Sequence, residues 1–97
     1  MDILTHSNGI SMSSELKGFI NKKVCKLENY IDKLTSADVY LKMENHSQVK
    51  DKTVEIKLNV PGVTLFSSET SKTFESATDD AVSSLVRQIK KHKDKKK

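Results

Sequence analysis

The sequence predicts an α+β fold, a β-α-β-β-β-α two-layer sandwich: a four-stranded sheet with two parallel helices on one face. Three observations predict it. Apolar residues recur at spacings of three and four over residues 16–34 and again over 74–89, the period of a helix with one buried face. They alternate with polar residues over 37–43 and 54–60, the period of a half-buried strand. The segments between are short and rich in turn residues, which fixes the direction of each element relative to the last.

Taken in order, residues 2–6 (DILTH) form a short strand, and Ser7-Asn8-Gly9 supplies loop chemistry. Ser13 is placed to cap a helix, with Glu15 in its positive first turn. That helix runs to about Leu34 on an apolar face of Leu16, Phe19, Ile20, Val24, Leu27, Ile31 and Leu34. Lys22, Lys26, Asn29 and Lys33 form a stripe beside that face, and Lys23 sits at its edge, where the stem packs and the ammonium reaches water. Gly18 lies inside the helix and costs it about 1 kcal/mol against Ala. Thr35-Ser36 ends the helix; Ala37, Val39, Leu41 and Met43 then point to the core from a strand. Residues 45–51 read as a polar loop, and Val54, Ile56, Leu58 and Val60 as the inner face of the next strand. Val60-Pro61-Gly62-Val63 is a tight turn with Pro second and Gly third, leading into a strand over 64–69. Thr73 caps a last helix whose apolar face is Phe74, Ala77, Thr78, Ala81, Leu85 and Ile89. Each helix follows a strand of the same direction, so the helices run parallel and their C-terminal ends share one edge, bringing Lys26 and Lys33 near Arg87, Lys90 and Lys91. The chain of 97 residues is one domain, residues 1–93, with a disordered lysine-rich tail at 94–97.

The positive charge is concentrated. Residues 87–97 carry 7 basic side chains and 1 acidic one, and the rest of the chain 10 and 12, for a net +4 overall. A cationic cluster of this kind suits an anionic partner, nucleic acid or an anionic membrane surface. The membrane is the weaker reading, because the flank of the tail lacks the aromatic and leucine anchors such segments use. One cysteine, Cys25, forms no internal disulfide, and the N-terminus has no signal-peptide pattern, so a cytoplasmic location is expected.

Four segments, KKVCKLENY (22–30), SADVYLKM (36–43), LNVPGVTL (58–65) and AVSSLVRQIKKHK (81–93), resemble the ribosome hibernation promoting factor / ribosome-associated translation inhibitor family, also labelled sigma-factor modulation protein. The resemblance runs through essentially the whole chain, in order, and corresponds to a short form of the family. It implies the same β-α-β-β-β-α fold. It also implies that the chain binds the rRNA of the small ribosomal subunit in the channel used by messenger and transfer RNA, silencing translation under stress or in stationary phase. A second hibernation factor is a further partner the resemblance brings into view. The family's basic positions fall on Lys23, Lys26, Arg87 and Lys91; the helical wheel adds Lys22 and Lys33, and the charge cluster adds Lys90 and Lys93. The chain departs from the family in having Asn29 where Lys is common, and Ser84-Leu85-Val86-Arg87 where Lys-Leu-Glu-Arg is common.

A charge run is by default a solvated surface. Against that default stand the convergence of two separate basic segments at one edge and the family resemblance. Lysine favours phosphate over base edges, so binding is expected to follow backbone and shape. Tyr40, and with it Phe66, is expected on the helix-free side of the sheet, where exposed aromatics stack bases or contact a protein. The competing function is therefore a protein-interaction regulator, a transcription or signalling adaptor working through that open sheet face. Enzyme chemistry finds no support. His6, His46 and His92 are isolated from metal-ligand spacings, Cys25 has no His placed to activate it, and Asp79 and Asp80 diverge by about 100° as helix neighbours. No catalytic residue, metal, cofactor or small-molecule substrate is expected.

Overall fold

The computed structural model describes residues 1–7, 9–46 and 49–95, and the side chains of all of these except 44–46, 49, 50, 94 and 95. The chain order is β1 (Asp2–His6), α1 (Ser14–Cys25), a 3-10 turn (Lys26–Asn29), β2 (Ser36–His46), β3 (Val49–Val60), β4 (Val63–Ser71) and α2 (Phe74–Lys95). The sheet order is β1-β2-β3-β4, with β1 parallel to β2 and the remaining pairs antiparallel. A parallel pair needs a crossover, and α1 is that crossover.

One face of the sheet is sealed. Ala37, Val39, Leu41, Val54, Ile56, Leu58 and Leu65 turn to the helices and are buried with Ile20, Val24 and Leu27 from α1 and the 3-10 turn. From α2, Phe74, Ala77, Thr78, Ala81, Leu85 and Ile89 are all buried, so the whole predicted apolar face is used. The Thr78 hydroxyl costs nothing there, because it donates to the Phe74 carbonyl one turn back at 2.7 Å. Both predicted caps form: Ser13 Oγ accepts from the Leu16 amide at 3.1 Å and Thr73 Oγ1 from the Ser76 amide at 3.0 Å. Pro61 and Gly62 close the β3–β4 hairpin, with Gly62 at φ +86°, where a side chain would be strained.

Three expectations are corrected. The first helix does not reach Leu34. Regular α-helix ends at Cys25, tightens to 3-10 over Lys26–Asn29, and the backbone turns at Lys33, which adopts φ +64°. Leu27, Ile31 and Leu34 are still buried, so the three-and-four spacing was a true burial signal. A tightening helix followed by a turn satisfies the same spacing while swinging the chain back to enter β2 beside β1. The polar stretch 45–51 is not a loop either: Glu44↔Asp51, Asn45↔Lys50 and His46↔Val49 continue the β2–β3 ladder. Strand β1 stops at the His6↔Tyr40 pair and β4 at Lys52↔Ser71, so this end of the hairpin runs past the core. The sequence ENHSQVKD over 44–51 is almost wholly polar, so it carries none of the alternation from which a strand is read. Strand β4 extends to Ser71, through the polar residues Thr70 and Ser71. Of the tail expected to be disordered, the backbone of 94 and 95 continues α2, and 96–97 lie outside the described residues.

Candidate nucleic-acid interface

The two helices lie side by side and run the same way, as the pairings along them show. Lys23 meets Asp79, Lys26 and Tyr30 share a groove with Val82, Ser83 and Val86, and Lys33 shares a lower hollow with His92 and Lys93. Numbers rise together on both elements.

On α1 and the 3-10 turn, the flank beside the buried stripe carries Phe19, Lys23, Lys26 and Tyr30. Lys23 is held twice. Its Nζ lies 3.2 Å from Asp79 Oδ1 across the groove and 5.5 Å from the centroid of the Phe19 ring one turn back. The stem packs and the head reaches out, leaving the side chain 30% exposed. Lys22 and Lys26 are exposed. At about 100° per residue, Lys22 sits on the solvent side of Lys26 and not beside the core stripe. Lys33 is off the helical stripe altogether because of its left-handed backbone, yet it stays on the cationic side, lining the lower hollow with Pro61 and Lys93.

On α2 the bases divide. Val82, Val86 and Lys93 face the first helix, and Lys90 falls about 40° from Val86 on that flank. Arg87 lies on the solvent crest, about 100° round from Val86, and Lys91 about 40° further. That places Lys91 toward the flank where Gln88 Nε2 donates to the Phe66 carbonyl at 2.8 Å, tying the helix to the edge strand β4. The interface is thus a groove lined by Lys26 with Lys23 pinned at its upper end and Lys33 and Lys93 at the hollow below, with Lys90 on the α2 flank and Lys22 on the solvent side of Lys26. Arg87 and Lys91 widen it over the back of α2. Sequence spacing had put Arg87, Lys90 and Lys91 at one edge; the helical geometry wraps them around the exposed circumference.

On the opposite face of the sheet several polar side chains pair with one another, and Lys57 is exposed. Lys42 Nζ lies 3.1 Å from Glu55 Oε1, and Ser68 Oγ donates to Glu55 Oε2 at 3.3 Å. Asn59 Nδ2 donates to Asp38 Oδ2 at 3.2 Å, and His6 Nε2 lies 3.5 Å from Asp38 Oδ1. Tyr40 is on this face, as expected, but its ring is stacked on His6 with centroids 4.6 Å apart. Phe66 is 48% exposed and Leu4 55%. Among the described residues no three His, Cys, Asp or Glu side chains are grouped to hold a metal ion, and no helix is long and apolar enough to cross a membrane.

A family model described as sigma 54 modulation protein / S30EA ribosomal protein matches residues 3–97. The chain belongs to this family. It is 32% identical over 97 residues to the ribosome hibernation promoting factor of Escherichia coli K12, covering 100% of this chain and 98% of that one. It is 27% identical over 95 residues to the protein of the same name from Pseudomonas putida KT2440, covering 98% and 89%. Two solved structures share the fold with a TM-score of 0.82: a ribosomal subunit interface protein from Coxiella burnetii and the N-terminal domain of Thermus thermophilus Protein Y. The first is 20% identical and covers 96% of this chain and 98% of that one; the second is 24% identical and covers 95% and 99%.

The family membership accounts for the four matching segments and for the fold. Sequence reading passed over the groove itself. Tyr30 was not singled out, although Phe19, Lys23, Lys26 and Tyr30 recur at four, three and four, the spacing of a second helical flank. Asp79 stands out in the sequence only as the helix neighbour of Asp80; its partner Lys23 is 56 positions away, beyond any local pattern.

Proposed function

We propose that this chain is a non-enzymatic, ribosome-associated translation inhibitor acting in the cytoplasm. The helix face grips rRNA of the small subunit, and the domain occludes the channel that messenger and transfer RNA use. The observation that carries this reading is the inter-helix groove. Lys26 lines it, Lys33 and Lys93 line the hollow below, and Lys90 falls on the same flank of α2, while on the sheet face Lys42 is paired with Glu55. The names of the relatives, hibernation promoting factor and ribosomal subunit interface protein, support the ribosome as the partner. Inhibition is steric: a rigid two-layer domain occupies volume, and lysine ammoniums fix it to phosphates without reading sequence.

Co-sedimentation with purified ribosomes at low and at high salt tests this. The protein is expected to travel with the small subunit at low salt and to be released as salt rises, through counterion release. Failure to co-sediment at low salt contradicts the reading. The adaptor alternative, acting through the sheet, is the weaker one: Tyr40 is already stacked on His6, and the face offers no continuous apolar patch between Leu4 and Phe66, which sit on opposite edge strands.

A further inference from the structure

The middle of the cationic face is not only cationic. Besides Lys23 and Lys26, the groove is lined by Tyr30, which is 38% exposed, by the half-buried Val82 and Val86, and by Ser83 and the Asp79 carboxylate. Its volume, about 310 Å³, is at the small end of the range for ligand clefts. A phosphate placed there meets an anion and two valines. Of the two lysines at its edge, Lys23 is paired with Asp79 at 3.2 Å and Lys26 stands on the exposed rim. A nucleobase meets a different set: an aromatic ring to stack on, an apolar floor, and a carboxylate and a hydroxyl at the rim to accept its N–H groups. The groove complements a base, while Lys22, Lys26 and Lys90 around it complement the phosphates on either side.

We propose that the cleft between α1 and α2 takes a single unstacked nucleobase from a single-stranded stretch of RNA, stacked on Tyr30 and held by Asp79. This rests on the RNA-binding reading above and specifies what the centre of that face recognises. Asp79 favours a base with two adjacent N–H donors, the N1–H and N2–H edge of guanine, because a carboxylate pairs with two parallel donors at once. Tyr30 gains its exposure from the end of the 3-10 turn, where its amide bonds back to the Leu27 carbonyl at 3.0 Å and the chain then leaves the helical path.

The test compares two labelled strands of equal length and charge by fluorescence anisotropy: a single-stranded RNA containing guanines and an abasic sugar-phosphate strand. The intact protein is expected to bind the RNA on the order of tenfold more tightly, the worth of one stacked base. Tyr30→Leu removes that preference while leaving abasic binding and the salt slope unchanged; Tyr30→Phe retains it. Lys26→Gln weakens both strands and lowers the slope by about one. Asp79→Asn lowers the preference for the guanine-containing strand and tightens abasic binding, because Lys23 is released. Thermal melts confirm that the variants fold, and Asp79→Asn, at an exposed position, keeps the test decisive should Tyr30→Leu not fold. Equal affinity of the intact protein for the two strands, or a preference untouched by both Tyr30→Leu and Asp79→Asn, overturns the base site. Co-sedimentation with ribosomes alongside equal affinities sinks the base site alone. Base preference without ribosome association sinks the ribosome reading alone.

Discussion

Both faces of the sandwich carry charged side chains, and they dispose of them in opposite ways. On the sheet, cross-strand neighbours are held at fixed separations, so polar groups meet across strands: Lys42 with Glu55 on the diagonal, and His6 and Asn59 around Asp38. On the helices, the side chains project from a convex layer, and only Lys23 finds an acid across the groove among the described residues. Most of the unpaired cations among the described residues therefore lie on the helix side. A protein that needed charge only for solubility would have no reason to segregate it.

The comparison can be broken at its foundation or at its surface. Leu85 is fully buried beneath α2, and Leu85→Ala is expected to cost about 2–5 kcal/mol in chemical denaturation, enough to loosen the helix layer from the sheet. Retention of full stability would mean that the helix layer is not docked as described. Charge reversal of Lys26, Arg87 and Lys91 together leaves the core intact. It is expected to weaken ribosome binding on the order of a hundredfold or more and to flatten its salt dependence, by about one unit of slope per lost phosphate contact. Unchanged binding would assign the interface to the other face.

Two smaller effects separate the helix scaffold from the site it presents. Thr73→Ala removes the cap on α2 and should lower stability by about 1 kcal/mol in the same denaturation experiment. Gly18→Ala should raise it by about 0.5–1 kcal/mol: Gly18 lies inside α1, and a methyl group there meets nothing within 4 Å. Neither should alter RNA affinity more than twofold at temperatures where the protein is folded. The smallest effect is expected from the sheet. Lys42→Gln with Glu55→Gln removes an ion pair at no net change in charge, and ribosome binding measured by sedimentation should not move.

Much of this architecture could be read from residue order, and the limits have physical causes. The inner faces of β2 and β3, both helix caps, the Pro61-Gly62 turn and the entire buried stripe of α2 follow from periodicity and local hydrogen-bond chemistry; Met43, expected on the inner face of β2, is instead 42% exposed. The end of α1 did not, because Leu27, Ile31 and Leu34 bury equally well from a helix or from a tightening turn, and spacing alone cannot separate the two. The long β2–β3 hairpin did not, because its outer part is almost wholly polar and carries no alternation. The lysines of the groove were named from sequence, but their division between groove and crest depends on where α1 stops and how α2 is rotated. Asp79 and Tyr30 became visible only once two segments far apart in sequence were set side by side. Cations announce themselves in composition; the pairing that silences one of them does not.

The central claim is that the helix face, and not the sheet face, meets RNA. Lysine acetylation footprinting of the protein, free and bound to ribosomes, addresses it directly. The account predicts that Lys26, Lys90 and Lys93 lose reactivity on binding while Lys42 and Lys57 on the open sheet keep theirs. Protection of Lys42 and Lys57 with the helix lysines still reactive would contradict it.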